Sequence, residues 1–104
     1  MAFNIVSGGL VTTGTTNADF FVVQKTAASN ATIEGFAGAD TIEITDNPAS
    51  ATALFIDAAG DADKLTFSGG TYVSANLLAG AGADFFTLGS GASFTNTTIN
   101  GGDG

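Results

Sequence analysis

The clearest pattern along the chain is an alternation of apolar and polar residues that restarts at a regular interval. Each restart follows an aspartate, and large apolar side chains stand two and four residues after it. The aspartates are Asp19, Asp40, Asp63 and Asp84, at spacings of 21, 23 and 21 residues. The apolar pairs are Phe21 and Val23, Ile42 and Ile44, Leu65 and Phe67, and Phe86 and Leu88. Because successive side chains of a strand point to opposite faces, the pattern predicts one strand after each aspartate.

A second apolar position recurs at the same interval. Seven residues before the aspartates stand Thr12, Ile33, Ile56 and Leu77, and Ile99 continues the series. Each repeat is therefore predicted as strand, turn, strand, turn. The turns opposite the aspartates are predicted at 25–30, 46–50, 68–71 and 89–93.

A repeat of about twenty residues is too small to bury an apolar face alone, so the repeats are expected to stack on one another. The predicted fold is all-β, a parallel β-solenoid of the β-roll or β-helix kind with 21 to 23 residues per coil. No helix is expected, since no segment keeps a 3.6-residue period. The alternative is an antiparallel sandwich, which would not need the aspartate and both apolar positions to recur in step.

Residues 1–104 are predicted to be a single solenoid domain. The first and last coils of a solenoid offer unpaired strand edges. Residues 101–104 open another glycine-rich turn. Two explanations follow: the chain is the N-terminal part of a longer repeat protein, or neighbouring chains stack end to end into a fibre.

The composition argues against several classes of function. The chain has no Cys, His or Trp, and its basic residues are Lys25 and Lys64 against ten acidic residues, for a net charge of −8. Without His or Cys there is no familiar nucleophile pair and no ordinary zinc site, so the chain is not expected to be an enzyme. The negative charge argues against nucleic acid and anionic lipid as partners. Residues 1–4 include no basic residue and are not followed by an apolar run of signal-peptide length, so neither an N-terminal signal peptide nor a membrane span is expected.

The recurring aspartates are the candidate chemistry. Stacked coils lie about 4.8 Å apart, so the four carboxylates are expected to share one edge. Two such charges repel by about 1 kcal/mol in water and by several times that in a partly screened site. Protonation, hydrogen bonds to turn amides, or a bound cation would relieve the repulsion, and Ca²⁺ suits oxygen-only ligands. The alternative is that the aspartates form turns by bonding their own backbone.

The glycines before these aspartates have a conformational purpose. Gly38, Gly60 and Gly82 are expected to let the turn enter the left-handed region and aim its carbonyl oxygens inward. Asn17 is expected to substitute for glycine in the first turn, because Asn tolerates that region.

The segments 35–42 (GFAGADTI) and 79–86 (AGAGADFF) resemble the glycine-rich nonapeptide repeats of RTX-type, or hemolysin-type, calcium-binding proteins. The resemblance implies calcium between successive turns on one edge, held by aspartate side chains and turn carbonyls. The implied ligands are Asp40 and Asp84, which match the motif best, then Asp63 and Asp19, with Gly38 and Gly82 in the turns and Asp61 as an additional acid. In that family both edges carry the motif, whereas here the opposite turns lack it.

The resemblance extends to bacterial surface-layer proteins and adhesins that leave the cell by type I secretion, which reads no N-terminal signal. The leading expectation is a calcium-stabilised extracellular structural protein that forms a surface layer or filament by binding copies of itself, with a cell-surface glycan as a further partner. The alternative is the calcium-binding module of a secreted adhesin or of a β-helical carbohydrate-active enzyme. Glu43 with Lys64 or Lys25 is its only catalytic candidate.

Several outward positions have two interpretations. Phe20 and Phe85 directly follow an aspartate, where the alternation points outward, and are either a contact for a partner or tolerated exposure. Glu34 and Asp57, six residues before an aspartate, are expected on solvated faces and only secondarily as ligands.

Overall fold

The computed structural model describes residues 11–23, 30–44 and 51–102, together with the backbone of residues 3–6. Over these ranges every regular element is a β-strand and no residue is helical. The all-β prediction is therefore confirmed. None of these residues belongs to a helix long and apolar enough to cross a membrane.

The strands are short and form three parallel sheets. They are β1 Phe3–Val6, β2 Val11–Thr13, β3 Phe20–Val23, β4 Thr32–Glu34, β5 Thr41–Ile44, β6 Ala51–Thr52, β7 Phe55–Asp57, β8 Lys64–Phe67, β9 Gly70–Val73, β10 Asn76–Leu78, β11 Phe85–Leu88, β12 Ala92–Thr95 and β13 Thr98–Asn100. Sheet A has the order β1-β3-β5-β8-β11, sheet B the order β2-β4-β7-β10-β13, and sheet C the order β6-β9-β12. Neighbours in each sheet are one coil apart, which is the parallel β-solenoid that the sequence predicted.

The apolar positions of the sequence pattern become continuous columns along the solenoid. In sheet A the register pairs Phe21 with Ile42, Ile42 with Leu65, and Leu65 with Phe86. In sheet B it joins Thr12, Ile33, Ile56, Leu77 and Ile99 in one column. In the central coils these side chains are buried and form the core. Both predicted apolar series are therefore confirmed.

Sheet C is the part of the fold that the sequence pattern did not predict. Strands β9 and β12 begin inside the ranges 68–71 and 89–93, which were predicted to be turns, and each strand covers two residues of its range. The cause is packing: Tyr72 of β9 is fully buried, and its ring stacks on that of Phe94 of β12 at 4.8 Å. A coil of 21 to 23 residues thus has three faces. Of the other predicted turns, 46–50 and all of 25–30 except Asn30 lie outside the described residues.

Candidate functional site

The four aspartates form one column, called here the aspartate column (Asp19, Asp40, Asp63 and Asp84), as the sequence predicted. Each residue directly precedes a strand of sheet A. The carboxylates do not lie on the outer surface of that edge. Asp19, Asp40 and Asp63 are 2%, 1% and 1% exposed, and Asp84 in the last coil is half-buried. The column is therefore part of the interior.

The carboxylates of Asp40, Asp63 and Asp84 each accept a hydrogen bond from the backbone of the preceding coil. The backbone N–H of Asp19 donates to Oδ1 of Asp40 at 2.7 Å, and that of Asp40 donates to Oδ1 of Asp63 at 2.8 Å. The N–H of Asp63 donates to Oδ1 of Asp84 at 2.9 Å. Hydrogen bonds to a charged group typically contribute about 1.5–3 kcal/mol each. Asp40, Asp63 and Asp84 therefore bond the turns of neighbouring coils to one another, whereas Asp19 accepts hydrogen bonds from its own turn, as turn formers do.

The other carboxylate oxygen, Oδ2, has no hydrogen-bond donor among the described residues in three of the four aspartates. Oδ2 of Asp40, Asp63 and Asp84 is buried and receives no hydrogen bond within the described residues. In Asp19 the same oxygen receives the Thr15 N–H at 2.5 Å and the Thr15 hydroxyl at 3.1 Å. A buried carboxylate oxygen without a donor is costly. The three oxygens are therefore where a cation or a proton would stabilise the fold.

The different behaviour of Asp19 follows from the backbone four residues earlier. The residues that correspond to Thr15 in the later coils have left-handed backbone, with φ of 68° at Phe36, 77° at Ala59 and 95° at Gly80, whereas Thr15 does not. Only the first turn therefore directs an amide and a hydroxyl at its own aspartate.

A small residue five positions before each aspartate makes room for the inward carboxylate. A Cβ placed on Gly35 would lie 2.4 Å from Oδ2 of Asp40 and 3.0 Å from the carbonyl oxygen of Ala58. Gly14 has the same relation to Asp19, at 2.5 Å from its Oδ2. The sequence contains this signal, since Gly14, Gly35, Ala58 and Ala79 stand at one offset. The sequence analysis did not use it, and it also missed Thr15.

Burial changes the acid–base behaviour of the column. The pKa of Asp40 is raised to about 6, mainly by loss of hydration; the Asp19 N–H opposes the rise, and the negative charges of Asp19 and Asp61 contribute to it. The pKa of Asp63 is raised to about 7, again mainly by burial; the Asp40 N–H opposes the rise, and the charges of Asp40, Asp84 and Asp61 contribute to it. Near neutral pH, Asp63 therefore holds its proton part of the time.

The turn conformations match the sequence prediction at two of the three glycines. Gly38 and Gly82 are left-handed, with φ of 108° and 133°. The prediction is wrong for Gly60 and for Asn17, which are not left-handed. In the third turn the left-handed residues flank Gly60, with φ of 77° at Ala59 and 76° at Asp61. The reason is register: Asp61 occupies the position of Gly38 and Gly82, and a short polar side chain tolerates that region.

Asp61 is bound to a neighbouring turn. Its Oδ2 accepts the N–H of Gly38 in the preceding coil at 2.9 Å, while the residue itself is exposed. Asp61 thus lies at the surface of the turn and does not join the buried oxygens of the aspartate column.

The oxygen atoms at the column are of the kind that bind Ca²⁺ as ligands. They are carboxylate and carbonyl oxygens, and three of the carboxylate oxygens accept no hydrogen bond within the described residues. Within the described residues, no three acidic side chains lie close enough together to hold one metal ion. An ion would therefore be shared by two adjacent aspartates and completed by turn carbonyls or water. Calcium binding at Asp40, Asp63 and Asp84 stays a prediction, and Asp19 is the least suited because Thr15 already binds its carboxylate.

The remaining candidates are separated on the outer faces. Glu34 and Asp57 are register neighbours in sheet B and half-buried. Glu43 pairs in register with Thr66, and Lys64 pairs with Thr41, so Glu43 and Lys64 are not register partners. Lys25 lies outside the described residues. The part of the chain that the structure describes forms no pocket.

The resemblance to the RTX-type repeats rests on the residues of the glycine-rich turns, and it too stays a prediction. The parallel solenoid is a property of the fold and does not by itself identify a family. Comparison of the chain with protein-family models, with curated proteins and with solved structures found no match.

Proposed function

We propose that this chain is a calcium-stabilised structural module of an extracellular assembly, a surface layer or a filament. The observation that carries the proposal is the set of three buried Oδ2 oxygens, on Asp40, Asp63 and Asp84, for which residues 11–23, 30–44 and 51–102 provide no hydrogen-bond donor. They lie on consecutive coils, so any group that binds between two of them also joins those coils.

Electrostatics favours a divalent cation over the other remedies. A proton neutralises one carboxylate, whereas one Ca²⁺ between adjacent coils would neutralise two. Asp40 and Asp63, or Asp63 and Asp84, would supply the carboxylate ligands, and the turns that contain Gly38 and Gly82 would supply carbonyl oxygens. Calcium accepts such irregular oxygen sets, which magnesium does not.

A structural role is supported by the way the coils are built. Their apolar columns continue from coil to coil in one register, and all three sheets share the same axis. An element of this kind is extended by adding coils. Export by type I secretion, self-association and binding of a surface glycan belong to this proposal. No specific observation favours the alternative role, the calcium-binding module of a secreted adhesin or of a carbohydrate-active enzyme.

Calcium titration tests the proposal directly. Thermal unfolding is followed by circular dichroism in EGTA and in CaCl₂, with binding measured by calorimetry. A ligand at about 100 times its Kd stabilises the folded state by about 2.7 kcal/mol, which in a domain of this size raises Tm by roughly 10 °C or more. An unchanged Tm together with no calorimetric heat would contradict the calcium part of the proposal.

Asp63→Asn is the informative variant. The amide side chain keeps an oxygen that can accept the Asp40 N–H, but it removes the charge that would bind the ion. We expect this variant to lose most of the calcium-dependent rise in Tm. Asp57→Asn is the matched control, because Asp57 lies on the outer face of sheet B, and it should respond to calcium as the unchanged chain does. An equal response of the two variants would contradict the placement of the ion.

A further inference from the structure

The last coil exposes side chains of columns that are buried elsewhere. Leu88 and Ile99 are 50% and 44% exposed, whereas the residues below them in the same columns, Phe67 and Leu77, are 1% and 0% exposed. Phe85 on the outer face of β11 is 69% exposed. Strands β11, β12 and β13 are the terminal strands of sheets A, C and B. Among the described residues, the last coil therefore presents exposed apolar side chains and strand edges that pair with no further coil.

The opposite end continues the same columns. The register joins Val6, Val23, Ile44, Phe67 and Leu88 in one column of sheet A. Val6 and Leu88 thus hold the two ends of that column, as Thr12 and Ile99 do in sheet B. The terminal strands also match in length: β1 and β11 have four residues each, and β2 and β13 have three each. A second copy placed on the last coil would therefore extend both sheets in their existing register.

The distribution of charge distinguishes the ends from the sides. The net charge is −8, yet residues 1–18 and 85–102 contain no charged side chain. Natural edge strands are commonly protected from pairing by charged residues or by proline. Strands β1, β2, β11, β12 and β13 contain neither. In the sequence, Asp84 and Asp103 flank the range 85–102 of the last coil, so copies that approach end to end meet fewer like charges than copies that meet through their sides.

We propose that the last coil of one copy docks on the first coil of a second copy, with β11 pairing to β1 and β13 to β2 in parallel. This deepens the proposed structural role and rests on it, because it names the surface through which the assembly grows. The contact is heterologous, since it joins two different surfaces, and such contacts produce open fibres.

Cysteine cross-linking tests the contact and its polarity. The chain has no native cysteine, so Val6→Cys and Leu88→Cys variants can be mixed under mild oxidation. Neighbouring residues of one column lie about 4.8 Å apart, within the range that a disulfide spans. We expect the mixture to give a dimer that neither variant gives alone. Dimers of Leu88→Cys alone would overturn the proposal in favour of a two-fold contact between last coils, and no cross-linked product would overturn it altogether.

Phe85→Lys tests the same edge without cysteine. Lys already occupies the equivalent position one coil earlier, at Lys64, so the strand accommodates it. The matched control is Thr41→Lys, which places a lysine beside Lys64 on its other side. Assembly is measured against protein concentration by sedimentation velocity and electron microscopy, and folding is checked by circular dichroism. For Phe85→Lys we expect the concentration of half-assembly to rise about tenfold, the effect of losing one aromatic contact at the interface.

The control should assemble as the unchanged chain does. Equal assembly of Phe85→Lys and Thr41→Lys would overturn the proposal. An unchanged chain that stays monomeric at every concentration would also overturn it, and the partner of this edge would then be a different molecule. These measurements are made both in CaCl₂ and in EGTA. If the copies cross-link but calcium does not change Tm, the calcium part of the proposed function is wrong and the interface stands. If calcium raises Tm but the copies do not cross-link, the interface is wrong and the calcium part stands.

Discussion

The backbone N–H of Asp40 donates to Oδ1 of Asp63, which lies 23 residues further along the chain and one coil away, at 2.8 Å. Asp40 itself accepts from Asp19 in the same way. Each of these aspartates thus donates through its backbone N–H to the side chain of the aspartate in the next coil. The aspartate column therefore contributes to the cohesion of the stack, with or without a bound ion.

Removal of one carboxylate from the column should destabilise the fold. Asp40→Ala leaves the Asp19 N–H buried without its acceptor, and we expect a loss of about 1–3 kcal/mol in the free energy of unfolding, measured by urea denaturation in EGTA. Asp40→Asn should cost less, because its side-chain oxygen can still accept that hydrogen bond. Asp57→Ala on the outer face is the control. A cost for Asp40→Ala no greater than that of the control would contradict the role of the column.

The metal-free chain should become less stable as the pH rises from about 4 to about 8. The pKa values of Asp40 and Asp63 are raised to about 6 and about 7 by burial, above those in the unfolded chain, so the folded state binds more protons in this interval. Stability is then greatest below the unfolded pKa and is lost as the pH passes through the folded values. Each unit of raised pKa corresponds to about 1.4 kcal/mol.

The measurement for this pH dependence is urea unfolding in EGTA at several pH values. Asp63→Asn should show a shallower slope, because the group with the more strongly raised pKa no longer titrates. A free energy of unfolding that increases over the same interval would contradict the burial of ionisable carboxylates in the column.

Gly82 and Gly60 form a matched pair for the turn geometry. Gly82 has φ of 133°, and a Cβ on it would lie 2.0 Å from the carbonyl oxygen of Asp61, whereas a Cβ on Gly60 would meet nothing within 4 Å. Gly82→Ala should therefore destabilise the fold by about 1–3 kcal/mol or more. Gly60→Ala should leave stability nearly unchanged or raise it by up to about 1 kcal/mol. Thermal unfolding of the two variants in EGTA decides this, and equal effects would contradict the turn geometry.

Tyr72 tests the third sheet. Its ring is fully buried between Phe67 and Phe94, and its hydroxyl donates to the carbonyl oxygen of Ser68 at 2.9 Å. Tyr72→Ala should cost about 3–5 kcal/mol, as for other large aromatic truncations in a core. Tyr72→Phe should cost only about 1 kcal/mol, the contribution of the hydrogen bond. If urea denaturation shows that Tyr72→Ala costs no more than Tyr72→Phe, β9 does not pack on the core.

The sequence was sufficient to determine the repeat, the parallel stacking and the aspartate column. These features depend on residue spacing, and a strand register that keeps Ile33 on Ile56 follows from a fixed interval. Sheet C could not be predicted in the same way. Its inward residues, Ala51, Tyr72 and Phe94, differ in size from coil to coil and show no common pattern.

The direction of the aspartate side chains was decided only by the tertiary structure. Sequence spacing places Asp40 and Asp63 in one column, but whether their carboxylates point to solvent or to the interior depends on the φ and ψ angles of the turn. Those angles arise from contacts between coils, such as the Gly82 backbone against the Asp61 carbonyl oxygen. The repeat thus determines which residues are neighbours. Packing between coils determines which of their atoms are buried without a hydrogen-bond partner, because burial depends on the neighbouring coil as well as on the residue itself.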